Sequence, residues 1–160
     1  MSRIVLVRNR QATRKVNTQW LRRRARWLLE REFCLRDFEL AVYLVGAAEI
    51  TRLNETHLHH AGSTDVITFD YGEPENLNRL SGEIFVCIDE AIIQARRYRT
   101  RWQSELLRYV IHGILHLRGY DDRSPAARRR MKREEDRLLK FLGRKSPTLP
   151  GTKLLIYCAS

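Results

Sequence analysis

The stretch from Ser104 to Asp122, "SELLRYVIHGILHLRGYDD", carries Leu106, Leu107, Val110, Ile111, Ile114 and Leu115 at helical spacing, so most of the helix girth is apolar. A helix apolar over that much of its surface belongs in a core. Set into it are two of the five histidines of the chain, His112 and His116. Residues at i and i+4 stack on one helix face, at a separation that a single metal ion can bridge. Gly119 is placed to end the helix, and Asp122 follows in the turn, able to swing a carboxylate back to the same ion. The pattern HxxxHxxGxxD therefore offers two ligands from a helix, a breaker, and a third ligand from the turn. Three protein ligands leave a position open for a water, which zinc would acidify.

Imidazole ligands favour zinc over magnesium, with one Zn2+ per chain. The spacing is similar to that of zinc proteases with HExxH, in which the glutamate beside the first histidine is the general base. Here Gly113 stands at that position, and without the base the proteolytic route loses its proton acceptor. Asp121 is a candidate catalytic acid, either as a base or by orienting a histidine; otherwise it caps the turn. Arg108 lies one turn before His112 on the same face. It is a candidate to clamp a substrate phosphate, catalytic and substrate-binding at once, or else it pairs with a carboxylate.

Working outward, "RIVLVRN" reads as a first strand, followed after "VNTQ" by a basic amphipathic helix through Leu21, Ala25, Leu28, Leu29 and Phe33. "FELAVYLVG", residues 38–46, is a continuous apolar run and predicts a strand buried on both faces. A short helix through Ile50 and Leu53 comes next, then a polar loop with His57, His59 and His60, a strand around Val66 to Phe69, and another around Glu83 to Ile88. Asp89 is a plausible cap for the helix after it. Past Gly119, Ser124 and Pro125 start a last helix that stops at Gly143. The expected fold is α+β: one domain over residues 1–143, a small mixed sheet flanked by helices with the metal-site helix in the core, and a C-terminal tail over 144–160.

The chain has 160 residues, enough for one domain with a sizeable core, and 43% hydrophobic with 31% charged residues is ordinary for a globular protein. Thirty Lys and Arg against nineteen Asp and Glu give +11, most of the cations being arginine. That balance points to a polyanionic partner. The clusters "LRRRARW", "RRYRTRW" and "RRRMKR" spread it over several elements. The three cysteines lie far apart with no CxxC pair, so no thiolate zinc site is expected. No leader or membrane-spanning stretch is legible, which predicts a cytoplasmic location without membrane contact.

These residues resemble the YbeY family, bacterial single-strand-specific metallo-endoribonucleases of ribosomal RNA maturation and ribosome quality control. The family signature HGxLHLxGYDH is matched by "HGILHLRGYDD" at every defined position but the last. "LN" at 53 and 54, "TDVITF" at 64–69, and "SGEIFVCIDEA" at 81–91 with Gln94 and Ala95 are similar to other family blocks in order and spacing, so the likeness runs over about residues 38–140. The resemblance implies a zinc-dependent endoribonuclease on single-stranded ribosomal RNA, at the 3′ end of the small-subunit rRNA, with the ribosome or its proteins as further partners. The alternative is a non-catalytic ribosome-assembly factor that binds RNA around a structural metal. Two positions depart from the family: Asp122 replaces the third histidine ligand, and Leu58 stands where many relatives carry an arginine held important for cleavage. Near that gap, His59 and His60 are candidate RNA contacts, the other reading being a polar surface loop.

Overall fold

In the strand Asp37–Val45 every second side chain, Phe38, Leu40, Val42 and Leu44, is buried, while Asp37, Glu39, Ala41 and Tyr43 between them are only half-buried. The expected burial on both faces is therefore corrected to one, with only the C-terminal end covered on both. Side chains alternate across a strand, and here helices cover one face of the sheet along its length. The other face is covered mainly near Ile50, which packs with Val45, Ile67, Phe85 and Cys87.

The computed structural model describes residues 1–144, so the expected tail lies, from residue 145 on, outside the described residues. The elements are β1 (Arg3–Asn9), α1 (Thr18–Trp27), β2 (Asp37–Val45), α2 (Ala47–Leu53), β3 (Val66–Asp70), β4 (Arg79–Cys87), α3 (Ile88–Tyr98), α4 (Trp102–Leu117) and α5 (Pro125–Arg144). The sheet order is β1-β2-β4-β3, with β2 parallel to both β1 and β4 and with β3 antiparallel to β4. This is the expected α+β domain around a small mixed sheet. No helix among the described residues is long and apolar enough to cross a membrane.

Local chemistry sets several boundaries. The Asn17 side chain accepts from Trp20 N at 2.9 Å and starts α1. Ser124 Oγ accepts from Ala127 N at 3.0 Å ahead of Pro125 and starts α5. Gly119 has φ +88°, a left-handed value that a glycine takes without strain, and it closes α4. Asp89 does not cap α3, which begins at Ile88. Its carboxylate instead accepts from Ala47 N at 2.7 Å, at the start of α2, and from the Thr13 hydroxyl at 2.9 Å.

Helix α4 lies across β4 and β3, with α3 and α5 beside it. Leu106, Val110, Ile111, Ile114 and Leu115 are fully enclosed. Burial of such side chains contributes roughly 1.5–3 kcal/mol each. Two glycines fix how low α4 sits. A Cβ on Gly113 would come within 2.7 Å of the Ile84 side chain, and one on Gly82 within 2.6 Å of Leu117. Helix and strand thus interlock reciprocally: Ile84 of β4 fills the gap at Gly113, and Leu117 of α4 fills the gap at Gly82. The absence of a side chain at 113 is a packing requirement of this seat, and a glutamate there has no room. Helix α5 is tied back by Arg137 to Glu32 at 2.6 Å and by the Arg24 guanidinium to the Leu142 carbonyl.

Candidate metal centre

One turn of α4 separates His112 from His116, and the rings meet nearly edge to face with centroids 4.5 Å apart. Each ring is held from behind. His112 Nδ1 is 2.6 Å from Glu135 Oε1, and His116 Nδ1 is 3.0 Å from the Tyr120 carbonyl oxygen. A carboxylate and a carbonyl only accept, so both Nδ1 atoms carry the hydrogen and each neutral ring turns a bare lone pair outward at Nε2. Those two Nε2 atoms are 2.9 Å apart, and Asp122 Oδ2 is 3.7 Å from each. Two lone pairs and a carboxylate oxygen this close repel unless a cation, a metal ion or a proton held between the rings, lies among them.

The three ligand atoms fall within 4.8 Å of one another, so His112, His116 and Asp122 together could hold a metal ion. Bonds of about 2.0–2.1 Å at tetrahedral angles place neighbouring ligand atoms roughly 3.3 Å apart, which the observed separations bracket. The donor set of two imidazoles and one carboxylate suits a borderline ion better than a hard one.

Electrostatics follow from the same contacts. Burial opposes the imidazolium form of His112, but the Glu135 hydrogen bond and charge, with Asp65 and Asp122 adding, hold its pKa above the ordinary value. Burial pushes His116 the other way, and a charge on His112 adds to that.

Glu135 escapes a reading of the sequence aimed at the histidines. It is 8% exposed, on α5, and joins Met131, Leu138 and Leu142 in the buried stripe of that helix. The signal for it is an acid at an apolar-stripe position, where a solvated carboxylate has no reason to be. Arg108 answers it: Nη1 lies 3.1 Å from Glu135 Oε2 and Nη2 lies 2.8 Å from Asp136 Oδ1. Of the two readings offered for Arg108, pairing with carboxylates is the contact made. Asp121 is exposed and takes Arg123 N at 3.1 Å in the turn; the acid bonded to a histidine is Glu135.

Two open grooves meet at His112 and Asp122. One, about 360 Å³, runs along β3 and is lined by Leu58, Thr64, Asp65, Thr68, Asp70 and His116 among others. The other, about 440 Å³, lies against α5 and is lined by Tyr98, Glu105, Arg108, Arg128, Lys132 and Glu135 among others. Leu58 is 43% exposed on the first wall. Asn54 is buried and donates to the Gly62 carbonyl at 3.0 Å, closing the loop behind Leu58. Thr64 and Asp65 hydrogen-bond locally, with Asp65 Oδ1 taking Val66 N at 2.9 Å. His59, in a left-handed conformation with φ 55°, and His60 are exposed beyond Leu58 and line neither groove.

A family model described as endoribonuclease YbeY matches residues 6–143, which carries the likeness from residue 38 back into β1. An endoribonuclease YbeY of Chlorobium luteolum is 42% identical over 106 residues, 66% of this chain and 75% of its own length. One of Chlorobium phaeobacteroides is 39% identical over 129 residues, 81% of this chain and 91% of its own. The solution structure of a protein from Thermotoga maritima superposes with a TM-score of 0.61 at 26% identity, covering 92% of this chain and all of that one.

Proposed function

The chain belongs to the endoribonuclease YbeY family, and on that premise we propose that it is a metal-dependent endoribonuclease cutting single-stranded RNA. Its substrate in this reading is ribosomal RNA, at the 3′ end of the small-subunit rRNA and in ribosome quality control, in the cytoplasm. The cofactor is one zinc ion on His112, His116 and Asp122. The observation that carries the reading is the pair of Nδ1 contacts, from Glu135 and from the Tyr120 carbonyl, which aim both Nε2 lone pairs and a carboxylate at one point.

When bound, zinc supplies a Lewis acid for a phosphoryl oxygen and lowers the pKa of an attacking water. The chain does the positioning. Glu135 keeps the His112 proton on Nδ1, and Arg108, spanning Glu135 and Asp136, holds that carboxylate in place. Arg108 is then a positioning residue, not a phosphate clamp. Asp121, exposed beside Asp122, is assigned the transfer of a proton to or from solvent. His59 and His60 contact RNA only where it extends past Leu58.

The second reading, a ribosome-assembly factor that binds RNA around a structural metal, is favoured by Leu58, which leaves the β3 wall without a cation at the position where the family resemblance implies an arginine in many members. One experiment separates the two. Protein purified without an affinity tag is analysed for metal and assayed on single-stranded RNA, with His116→Ala alongside. One zinc per chain and cleavage, both lost in the variant, is the expected result. Absence of stoichiometric metal together with undiminished cleavage by His116→Ala overturns the mechanism. RNA binding with no cleavage by the zinc-loaded wild type establishes the assembly factor.

A further inference from the structure

The α5 groove holds cations that the metal centre does not use. Arg128 and Lys132 are four residues apart on α5, both exposed, and both line it. Neither makes an ion pair with another described residue; Arg128 only donates from Nη1 to the Asp122 carbonyl at 3.3 Å. The acids of the same groove are engaged elsewhere. Asp122 faces the two imidazoles, Glu135 binds His112 and Arg108, and Glu105 takes the Thr100 hydroxyl at 2.7 Å.

The groove also carries Tyr98, the last residue of α3, with 62% of its surface exposed. An exposed ring beside free cations is the combination that holds single strands: cations track the phosphates while an unstacked base lies on the ring. The Arg97 guanidinium lies 5.6 Å from the Tyr98 centroid. Arg96, Arg97, Arg99 and Arg101 surround it in sequence, and none is ion-paired with another described residue. The β3 groove offers nothing comparable, since its lining has Asp65 and Asp70 but no lysine or arginine.

We infer that the α5 groove seats the single-stranded RNA, with Arg128 and Lys132 on successive phosphates and one base stacked on Tyr98. The inference rests on the endoribonuclease reading and names the residues that bind its substrate. A duplex, whose bases are already stacked, gains nothing from the ring.

The test uses the full chain and a fluorescein-labelled single-stranded RNA decamer. Binding is followed by anisotropy with a chelator present, at several salt concentrations, and cleavage is measured separately with the zinc-loaded protein. Tyr98→Ala is expected to weaken single-strand binding about tenfold and raise KM with kcat kept. Tyr98→Phe restores both, and duplex binding does not change. Arg128→Gln with Lys132→Gln is expected to lower the slope of log affinity against log salt by about 1.4, for two phosphates on a single strand. Tyr71→Ala is the control, a tyrosine 60% exposed that lines neither groove. Binding by Tyr98→Ala equal to that of Tyr71→Ala, or an unchanged salt slope in the double variant, overturns the inference. Failure of the wild type to cut any RNA while these binding changes occur sinks the enzyme reading and leaves the groove. Cleavage by a wild type whose groove variants bind and cut normally does the reverse.

Discussion

The two grooves that meet at His112 and Asp122 share those two candidate metal-holding residues and differ in their cationic and aromatic lining. Along β3 the wall is short-chained and acidic, with Thr64, Thr68, Asp65 and Asp70 around Leu58. Against α5 it carries Arg128, Lys132 and an exposed tyrosine. A formal charge of +11 is therefore not spread evenly around the site. The residues that could hold a metal belong to α4 and the turn behind it, so any chemistry there is common to both grooves and the walls decide which side a polyanion approaches from. Local field near a cleft, not net charge, governs such steering.

The largest expected effect removes what the walls share. His116→Ala should lose zinc and lower cleavage by about three orders of magnitude, several kcal/mol of transition-state stabilisation. Binding of RNA to the α5 groove should survive, which metal analysis beside anisotropy will show.

Glu135→Gln comes next. It removes the carboxylate that orients His112 and should weaken zinc about 10- to 100-fold, read by competition with a chromogenic chelator. The same titration has a pH signature. Protons compete with the metal for imidazole nitrogen, and His112 sits above its ordinary 6.5, so wild-type affinity should begin to fall at a pH above 6.5 as the solution is acidified. In Glu135→Gln the first of the raising charges is gone while Asp65 and Asp122 remain, so that fall should move to lower pH even as affinity at high pH drops. A midpoint that stays put would show that another group carries the titration.

Gly113→Ala tests the platform on which both walls stand. Its Cβ meets three atoms of the enclosed Ile84 side chain, at 2.7, 2.8 and 2.9 Å, so the whole side chain or the helix must shift. The expected loss is about 1–3 kcal/mol, measured as a lower urea midpoint. The smallest effect sharpens the asymmetry directly: Leu58→Arg puts a cation into the wall that has none. Where the strand runs on from the α5 groove past Leu58, the new cation should raise single-strand affinity a few-fold and steepen the salt slope by about 0.7. No gain from that arginine would mean that RNA does not lie along β3 at all.

Much of the candidate metal centre is legible in the sequence. The spacing of His112, His116, Gly119 and Asp122 reads correctly as two facing rings, a left-handed breaker and a returning carboxylate, because each relation spans one helical turn or one tight turn. The strands are legible for a similar reason, although β4 starts at Arg79, ahead of the Glu83 at which its apolar pattern becomes clear. Alternation of apolar and polar side chains does not mark where pairing begins. β2 reads as buried on both faces because Ala41 and Tyr43 are apolar by composition. Which faces a sheet has covered depends on where its helices pack. Asp89 has the position of a cap for its own helix and serves α2 instead, a partner 42 residues away.

What the sequence determined alone is what backbone geometry determines alone: a 3.6-residue period puts His112 above His116, and a glycine at positive φ turns Asp122 toward them. What only the tertiary structure decided is the environment of that constellation. Glu135 lies 23 residues from the histidine it holds, Arg108 lies 27 from Glu135, and the two unlike walls are assembled from α3, α5, β3 and the loop before it. Contacts at that separation come from the interlock of Ile84 with Gly113 and Leu117 with Gly82, which seats α4 on the sheet, and from the packing of α5 on α4. No local period encodes a distance fixed by the packing of distant segments.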